Sequence, residues 1–291
     1  MSLTEFFSLY PLALVGFSAV FGLLVGSFLN VVIYRFPIMM ESEWTAQCKE
    51  LLEISSEDET KEAKTFNLAK PDSHCPHCKH KISSLENIPV FSYLFQRGRC
   101  TQCKISISPR YPLIETITAL FSGLIAFNFG FSWLTLALLF FTWGLIVLTM
   151  IDFDHQLLPD DITLPLLWLG LIVNSFGLIT SLENALWGAI GGYFILWAVY
   201  WAFKLFTGKE GMGYGDFKLL AALGAWMGWQ SIPLIILLSS LVGAVIGLSL
   251  TVIMGRDKNI PIPFGPYLAG AGFIALIWGE QITSLYLQVM L

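Results

Sequence analysis

Long apolar stretches alternate with short polar connections along most of the chain. A helix needs about 20 apolar residues to cross the roughly 30 Å of hydrocarbon in a bilayer. Eight stretches approach this length, the sixth being the shortest: residues 12–34, 112–129, 132–151, 162–179, 184–206, 217–230, 231–253 and 264–288. The pattern predicts an all-α polytopic membrane protein with about eight transmembrane helices.

The composition supports a membrane protein. Hydrophobic residues make up 55% of the 291 positions and charged residues only 13%, whereas a soluble domain carries about 25% charged residues. No basic stripe with interleaved aromatic residues is present, so we expect no nucleic-acid partner. The first ten residues contain no Lys or Arg, so we expect no removable signal peptide. Membrane lipids are the expected surroundings.

Basic residues are concentrated in one polar segment. Eleven of the sixteen Lys and Arg residues lie in residues 35–110. The other five are Lys204, Lys209, Lys218, Arg256 and Lys258. Loops on the cytoplasmic side of membrane proteins are enriched in Lys and Arg. With eight spans and an outside N-terminus, all sixteen fall on or beside the cytoplasmic side, which predicts a cytoplasmic location for the polar segment.

Residues 35–111 predict a small cytoplasmic domain between the first and second spans. Its first part, residues 41–70, alternates charges and predicts a surface helix with a cap or turn at residues 55–59. Its second part contains two CxxC pairs separated by 21 residues, formed by Cys75, Cys78, Cys100 and Cys103. Each CxxC turn presents two sulfurs to one tetrahedral metal, so the spacing predicts a four-thiolate zinc site.

The zinc site is expected to be structural, because four thiolates leave no open coordination position. A disulfide or redox function and unligated thiols are the alternatives, although disulfides are rare in a reducing cytoplasm. Cys48 lies outside the pattern and is predicted to be a free thiol. His74, His77 and His80 flank the first pair; solvated loop positions are favoured for them over a ligand role.

Two aspartates stand at predicted membrane boundaries. Asp152 follows the apolar residues 145–151 at the cytoplasmic end of the third span, and Asp216 opens the sixth span after a glycine-rich segment. Two intervening spans return the chain to the same membrane face, so helix packing can bring the carboxylates together. Carboxylates that share a site titrate apart, leaving one protonated and one ionised near neutral pH. Such a pair can activate water and protonate a peptide carbonyl.

Simpler roles exist for the same acidic residues. Asp152 can mark a helix end, and Asp216 can cap its helix. Asp154, Asp160 and Asp161 compete for any role, and Asp160 or Asp161 can cap the next helix. Paired carboxylates in a membrane protein also suit a proton- or ion-coupled transporter, although transporter sites lie near the midplane. A non-catalytic scaffold, whose zinc loop recruits cytoplasmic partners, is the remaining alternative.

Five ordered motifs together resemble the bacterial type IV prepilin peptidases. Residues 213–216 resemble the GxGD signature of membrane aspartic proteases, and residues 152–160 resemble the first aspartate motif of the prepilin peptidases. The segments 26–32 and 261–266 and the two CxxC pairs match the same family in order. The resemblance covers nearly the whole chain.

The resemblance implies a bifunctional enzyme in the bacterial inner membrane, with its active site facing the cytoplasm. Members cleave the basic leader of type IV prepilins and type II secretion pseudopilins, and then N-methylate the new N-terminus with S-adenosylmethionine. The catalytic aspartates carry over onto Asp152 and Asp216. The four family cysteines carry over onto the predicted zinc ligands, and nothing in the sequence defines an oligomeric state.

The resemblance also divides the chain into a first span (residues 1–34), the zinc-binding domain (35–111) and a seven-span peptidase core (112–291). Methyl transfer rests on the resemblance alone, because the sequence contains no recognisable cofactor motif. Three polar residues near cytoplasmic span ends are candidates for it: Asn30, Arg35 and Glu115. Helix–helix hydrogen bonding and anchoring at the interface are the favoured roles for these residues.

Overall fold

The computed structural model describes residues 2–53, 66–254 and 262–290. Within these ranges the regular secondary structure is helical, with two isolated β-bridges and no β-strand. This confirms the all-α prediction. The chain forms two compact units, Met1–Phe131 and Ser132–Leu291.

The first unit is built on two long helices that pack side by side. Its helices are α1 (Leu3–Leu9), α2 (Pro11–Leu51), α3 (Phe91–Phe95) and α4 (Arg110–Phe129). Between α2 and α4 the backbones approach closely: a Cβ added at Gly26 would lie 2.7 Å from Cα of Glu115. The Asn30 amide bridges the two helices, donating to the carbonyl oxygens of Gly26 and Tyr111, each at 3.2 Å. Small residues and interhelical hydrogen bonds are what hold helices together in lipid.

The second unit places one short helix at its centre. Its helices are α5 (Trp133–His155), α6 (Asp160–Ser175), α7 (Leu182–Thr207), α8 (Tyr214–Met227), α9 (Ile232–Met254) and α10 (Gly265–Met290). Eleven of the fourteen residues of α8 are buried. Where α7 crosses α8 the backbones touch, because a Cβ added at Gly188 would lie 2.2 Å from the carbonyl oxygen of Gly224.

Buried polar side chains hold α8 to α6. The Trp226 indole donates to the carbonyl oxygen of Leu166 at 2.8 Å. The Asn174 amide donates to the carbonyl oxygens of Ala225 and Trp226, both at 2.8 Å, near the end of α8. These carbonyls have no partner within the helix, and side chains commonly satisfy them. The end of α8 is therefore fixed inside the unit.

The eight predicted spans correspond to eight helices, so the predicted number holds as an approximation. Among the described residues, six helices are long and apolar enough to cross a membrane: α2, α4, α5, α7, α9 (with the turn before it) and α10. The other two, α6 and α8, have 16 and 14 residues, fewer than the roughly 20 that a perpendicular span requires. The chain is a multi-pass membrane protein.

Two details of the predicted polar segment differ in the structure. The first helix does not end at residue 34 but continues unbroken to Leu51. The surface helix predicted within residues 41–70 is therefore, up to residue 51, the continuation of α2. The predicted cap or turn at residues 55–59 lies outside the described residues, as does the first residue of the 261–266 motif.

Candidate active site and metal centre

Asp152 lies in the last turn of α5, where its side chain is buried and 5% exposed. Its Oδ2 accepts a hydrogen bond of 2.9 Å from the backbone N–H of Gly265, the first residue of α10. The approach is close enough that a Cβ added at Gly265 would lie 2.6 Å from this oxygen. The N-terminal end of one helix thereby holds the carboxylate at the C-terminal end of another.

Asp216 is the third residue of α8 and is 6% exposed. Its Oδ2 accepts a hydrogen bond of 3.2 Å from the backbone N–H of Gly213. Gly213 itself occupies the N-cap position of α8, so Asp216 takes part in capping this helix from position N3 and not as the N-cap residue. The carboxylate instead reaches back from the first turn, as the acidic member of a capping box does.

The structure brings Asp152 and Asp216 into one site. The Asp152 carboxylate is close enough to exert a Coulombic effect on Asp216. Leu158 packs between Gly215, which precedes Asp216, and Gly265, because a Cβ added at these glycines would lie 2.7 and 3.1 Å from carbon atoms of its side chain. Two buried carboxylates from different helices can divide the general-base and general-acid roles between them.

The competing aspartates are exposed, unlike the central pair. Asp160 forms an ion pair with Lys218, whose Nζ lies 2.7 Å from both carboxylate oxygens. Asp154 and Asp161 are exposed on α5 and α6. Neither Asp160 nor Asp161 caps α6, since Pro159 holds the N-cap position, and that prediction is wrong. Burial therefore distinguishes the central pair from its neighbours.

A cluster of aromatic rings supports the glycine-rich segment before Asp216. The ring of Tyr214 lies 5.4 Å from the rings of both Tyr200 and Phe217. Lys204 donates to the Tyr200 hydroxyl at 3.2 Å and to Glu210 at 2.8 Å. The Lys204 ammonium group lowers the pKa of the Glu210 carboxyl. This network ties the segment to the end of α7 and so fixes the start of α8.

The four predicted zinc ligands converge in the first unit. Their Sγ atoms all lie within 4.8 Å of one another, with Cys75 and Cys103 at 3.8 Å and Cys78 and Cys100 at 3.9 Å. Four sulfurs bound tetrahedrally at about 2.3 Å from zinc lie about 3.8 Å apart. The donor set and its spacing therefore fit zinc. All five cysteines lie in the described ranges; none forms a disulfide, and Cys48 is an exposed thiol on α2.

The flanking histidines lie outside this sulfur cluster. The His74 ring contacts the carbonyl oxygen of Asp72 at 3.0 Å, and the His80 ring lies 3.3 Å from the Glu86 carboxylate. Only cysteines make up the metal-binding group found among the described residues.

The two CxxC turns are copies of one structure, which the sequence interpretation missed. Cys-x-x-Cys-Lys-x-x-Ile occurs at residues 75–82 and again at 100–107. In both copies the carbonyl oxygen of the first cysteine accepts a hydrogen bond of 3.0 Å from the backbone N–H of the lysine. Lys79 and Lys104 both have φ of +60°. Backbone N–H groups of Cys78 and His77 lower the pKa of Cys75 to about 6. The corresponding groups in the second copy lower the pKa of Cys100.

Glu86 joins the two copies and was also missed. Its carboxylate accepts from the backbone N–H of Ser83 at 2.9 Å and from the Thr101 hydroxyl at 2.5 Å. These hydrogen bonds, that of Thr101 above all, lower the pKa of Glu86 to about 2. An isolated Glu in a polar loop gives no sequence signal for such a role, whereas the repeated CxxCKxxI pattern was visible.

The three polar residues considered for methyl transfer make structural contacts. Asn30 bridges α2 and α4, as described above. Arg35 donates to the carbonyl oxygens of Asn67 at 2.9 Å and Pro71 at 2.6 Å. Glu115 accepts from the backbone N–H of Val90 at 2.7 Å. These contacts agree with the favoured roles in helix bridging and anchoring.

Comparison with known proteins identifies the family. The bacterial peptidase A24 N-terminal domain matches residues 20–129, and the type IV leader peptidase family matches residues 139–248. The chain is 60% identical over 288 residues to the prepilin leader peptidase/N-methyltransferase of Stutzerimonas stutzeri, covering 99% of each chain. The protein of that name from Pseudomonas aeruginosa is 58% identical over 288 residues, covering 99% of this chain and 98% of the relative. The one from Neisseria gonorrhoeae is 51% identical over 265 residues, covering 91% of each.

No solved structure matches the chain. The matches confirm the resemblance drawn from the five sequence motifs. The chain belongs to the type IV leader peptidase family.

Proposed function

We propose that this protein cleaves the basic leader peptide from type IV prepilins and N-methylates the N-terminus that cleavage exposes. Its relatives carry both activities in their names. The observation that carries the proposal is the buried pair of Asp152 and Asp216, which α5 and α8 bring within Coulombic reach of each other. Family membership supports the peptidase over a proton- or ion-coupled transporter and over a scaffold.

In the proposed mechanism the two aspartates are the catalytic residues. The ionised carboxylate takes a proton from the attacking water, and the protonated one donates its proton to the carbonyl oxygen of the scissile peptide. The tetrahedral intermediate then breaks at its C–N bond, as the carboxyl group that gained a proton passes it to the leaving nitrogen and the other carboxylate recovers its proton from the hydroxyl group. Gly265 orients Asp152 through its backbone N–H, and Gly213 orients Asp216 in the same way. Burial of the pair excludes bulk water, which strengthens the electrostatic interactions of the site.

The proposed location is the inner membrane, with the active site at the cytoplasmic face. The concentration of Lys and Arg in residues 35–110 supports this orientation. A basic leader held on the cytoplasmic side, followed by an apolar helix in the bilayer, has its scissile bond near the interface. Type II secretion pseudopilins share this design and are proposed as further substrates.

The metal centre is proposed to be structural. Cys75, Cys78, Cys100 and Cys103 would hold one zinc ion, which closes the two turns into one domain and supplies no catalytic position. We retain the proposed division into a first span (1–34), a zinc-binding domain (35–111) and a peptidase core (112–291). S-adenosylmethionine is proposed as the methyl donor from family membership, without an assigned binding site.

The test is cleavage of a purified prepilin in detergent by wild type, Asp152→Asn and Asp216→Asn. Asparagine keeps the size and polarity of the side chain and removes the titratable proton. Asp154→Asn is the matched control, because it makes the same change at an exposed position on α5. Both central variants should stay folded and lose cleavage, while the control should cleave. Normal cleavage by either central variant would refute the catalytic pair.

A further inference from the structure

The domain with the cysteine cluster carries an exposed apolar surface. Residues 85–95, called the apolar foot below, contain five large hydrophobic side chains that face away from the protein. Their exposed fractions run from 43% to 84%: Leu85 79%, Ile88 43%, Phe91 54%, Leu94 64% and Phe95 84%. Soluble surfaces rarely present so many large apolar groups together, and such patches mark interaction sites.

A hydrogen bond fixes the depth of the apolar foot relative to a membrane-spanning helix. The N–H of Val90 donates to the Glu115 carboxylate at 2.7 Å. Glu115 is the sixth residue of α4, a helix long and apolar enough to cross a membrane. With a rise of 1.5 Å per residue, Glu115 lies about 7.5 Å along the helix from its start. Val90 is therefore held beside the span.

The neighbouring helix gives a similar depth. Asn30 on α2 donates to the carbonyl oxygen of Tyr111 at the start of α4 at 3.2 Å. Asn30 lies four residues before position 34, where the predicted first span ends. This corresponds to about 6 Å inside the span.

The apolar foot is held in a fixed position relative to the rest of the domain. Val90 has φ of +61° and ψ of −49°, a conformation that β-branched residues rarely adopt. Its hydrogen bond to Glu115 supports this strained residue, and the preceding Pro89 is buried. Short helix α3 follows at once, and it presents Phe91, Leu94 and Phe95 outward.

Charge around the foot is complementary to a membrane surface. Arg97 and Arg99 follow α3 and are exposed. The acidic residue nearest in the foot, Glu86, is bonded to Ser83 and Thr101 inside the domain. Juxtamembrane Arg and Lys residues are attracted to anionic lipid headgroups. Apolar side chains beside basic ones are typical of segments that lie in the membrane interface.

We propose that the apolar foot inserts into the boundary between acyl chains and headgroups, in the leaflet on the side of the cysteine cluster. Interfacial segments bury their apolar faces about 5–10 Å into this boundary, which matches the depth obtained from both α2 and α4. The cysteine-containing domain then rests on the bilayer, and lipid molecules cover the apolar foot.

The test uses the full-length protein in nanodiscs of phosphatidylethanolamine and phosphatidylglycerol. A photoreactive residue is placed by Phe95→p-benzoylphenylalanine, which keeps an aromatic side chain at a position that is 84% exposed. Leu120→p-benzoylphenylalanine on the exposed surface of α4 is the lipid-facing reference. Glu43→p-benzoylphenylalanine, on the exposed polar part of α2 beyond the membrane, is the aqueous reference. Intact mass spectrometry after irradiation identifies the adducts.

The expected result is a phospholipid adduct at Phe95 with a yield equal to that at Leu120, and none at Glu43. Two results would overturn the proposal. A Phe95 yield no greater than that at Glu43 would place the foot in water. A cross-link from Phe95 to a second copy of the chain, in place of lipid, would mean that protein covers this surface.

Discussion

The contact between Gly265 and Asp152 offers a sharp test of how the active site is held. In Gly265→Ala, the new methyl group would lie 2.6 Å from Oδ2 of Asp152 and 3.1 Å from Cδ2 of Leu158. Real Cβ atoms do not approach an oxygen so closely, so the carboxylate must move away from α10. Its hydrogen bond of 2.9 Å to the Gly265 N–H is then lost or lengthened.

The size of the expected loss in cleavage rate follows from the hydrogen bond that is lost. A hydrogen bond to a charged group contributes about 1.5–3 kcal/mol. Each 1.36 kcal/mol of lost transition-state stabilisation lowers the rate about tenfold. Gly265→Ala should therefore lower kcat/KM for prepilin cleavage by roughly 10- to 160-fold. The enzyme should not be fully inactive, because both carboxylates are retained.

The assay is prepilin cleavage in detergent, run beside thermal unfolding of the same preparations. Gly270→Ala is the matched control, since it adds the same methyl group to the same helix with no atom within 4 Å of the new Cβ. Both variants should unfold near the wild-type temperature, and only Gly265→Ala should cleave the prepilin slowly. Wild-type cleavage by a folded Gly265→Ala would refute the view that α10 positions Asp152.

Three further predictions concern packing and the metal centre. Gly188→Ala places a methyl group 2.2 Å from the Gly224 carbonyl oxygen. Overpacking of this kind costs about 1–3 kcal/mol of stability, so the unfolding temperature should fall by several degrees. Gly191→Ala, whose new Cβ has its nearest atom at 3.6 Å, should leave the unfolding temperature unchanged. Glu86, with a pKa of about 2 against an ordinary 4.5, contributes stability that is complete above the ordinary value and is lost as the pH falls towards the lowered one. Glu86→Gln should therefore lower the unfolding temperature by the same amount at all pH values from about 6 to 8, and a difference that shrinks on acidification within that range would contradict this. Chelation of zinc should reduce stability or the methylation rate more than the cleavage rate, and loss of cleavage by a protein that stays fully folded would be the contrary result.

Hydropathy predicted the helices well because apolar runs long enough to cross a bilayer rarely form any other structure. It could not separate a helix that faces lipid from one that other helices surround, since both are apolar. This is why α8, with 14 residues, was predicted as a span although its neighbours bury it. The change to polar composition after residue 34 predicted the end of the first span, whereas the helix itself continues to Leu51.

The sequence identified the chemical groups of the site but not their supports. Asp152 and Asp216 stood out because carboxylates beside apolar spans are costly. The motif at residues 261–266 was noticed without a role, because its contact with Asp152 spans 113 positions and has no local signature. The cysteine spacing predicted the cluster, while Glu86 depends on a folded loop that periodicity does not describe.

The origin of the Gly265 contact has a consequence for biosynthesis. Asp152 receives its backbone partner from α10, which leaves the ribosome 113 residues after the aspartate and after all the other described helices. A nascent chain that has inserted α5 and α8 already carries both carboxylates, yet Asp152 still lacks its N–H donor. The hydrogen bond to Asp152 is therefore completed only after α10 is inserted, and chains that stall before residue 265 never form it.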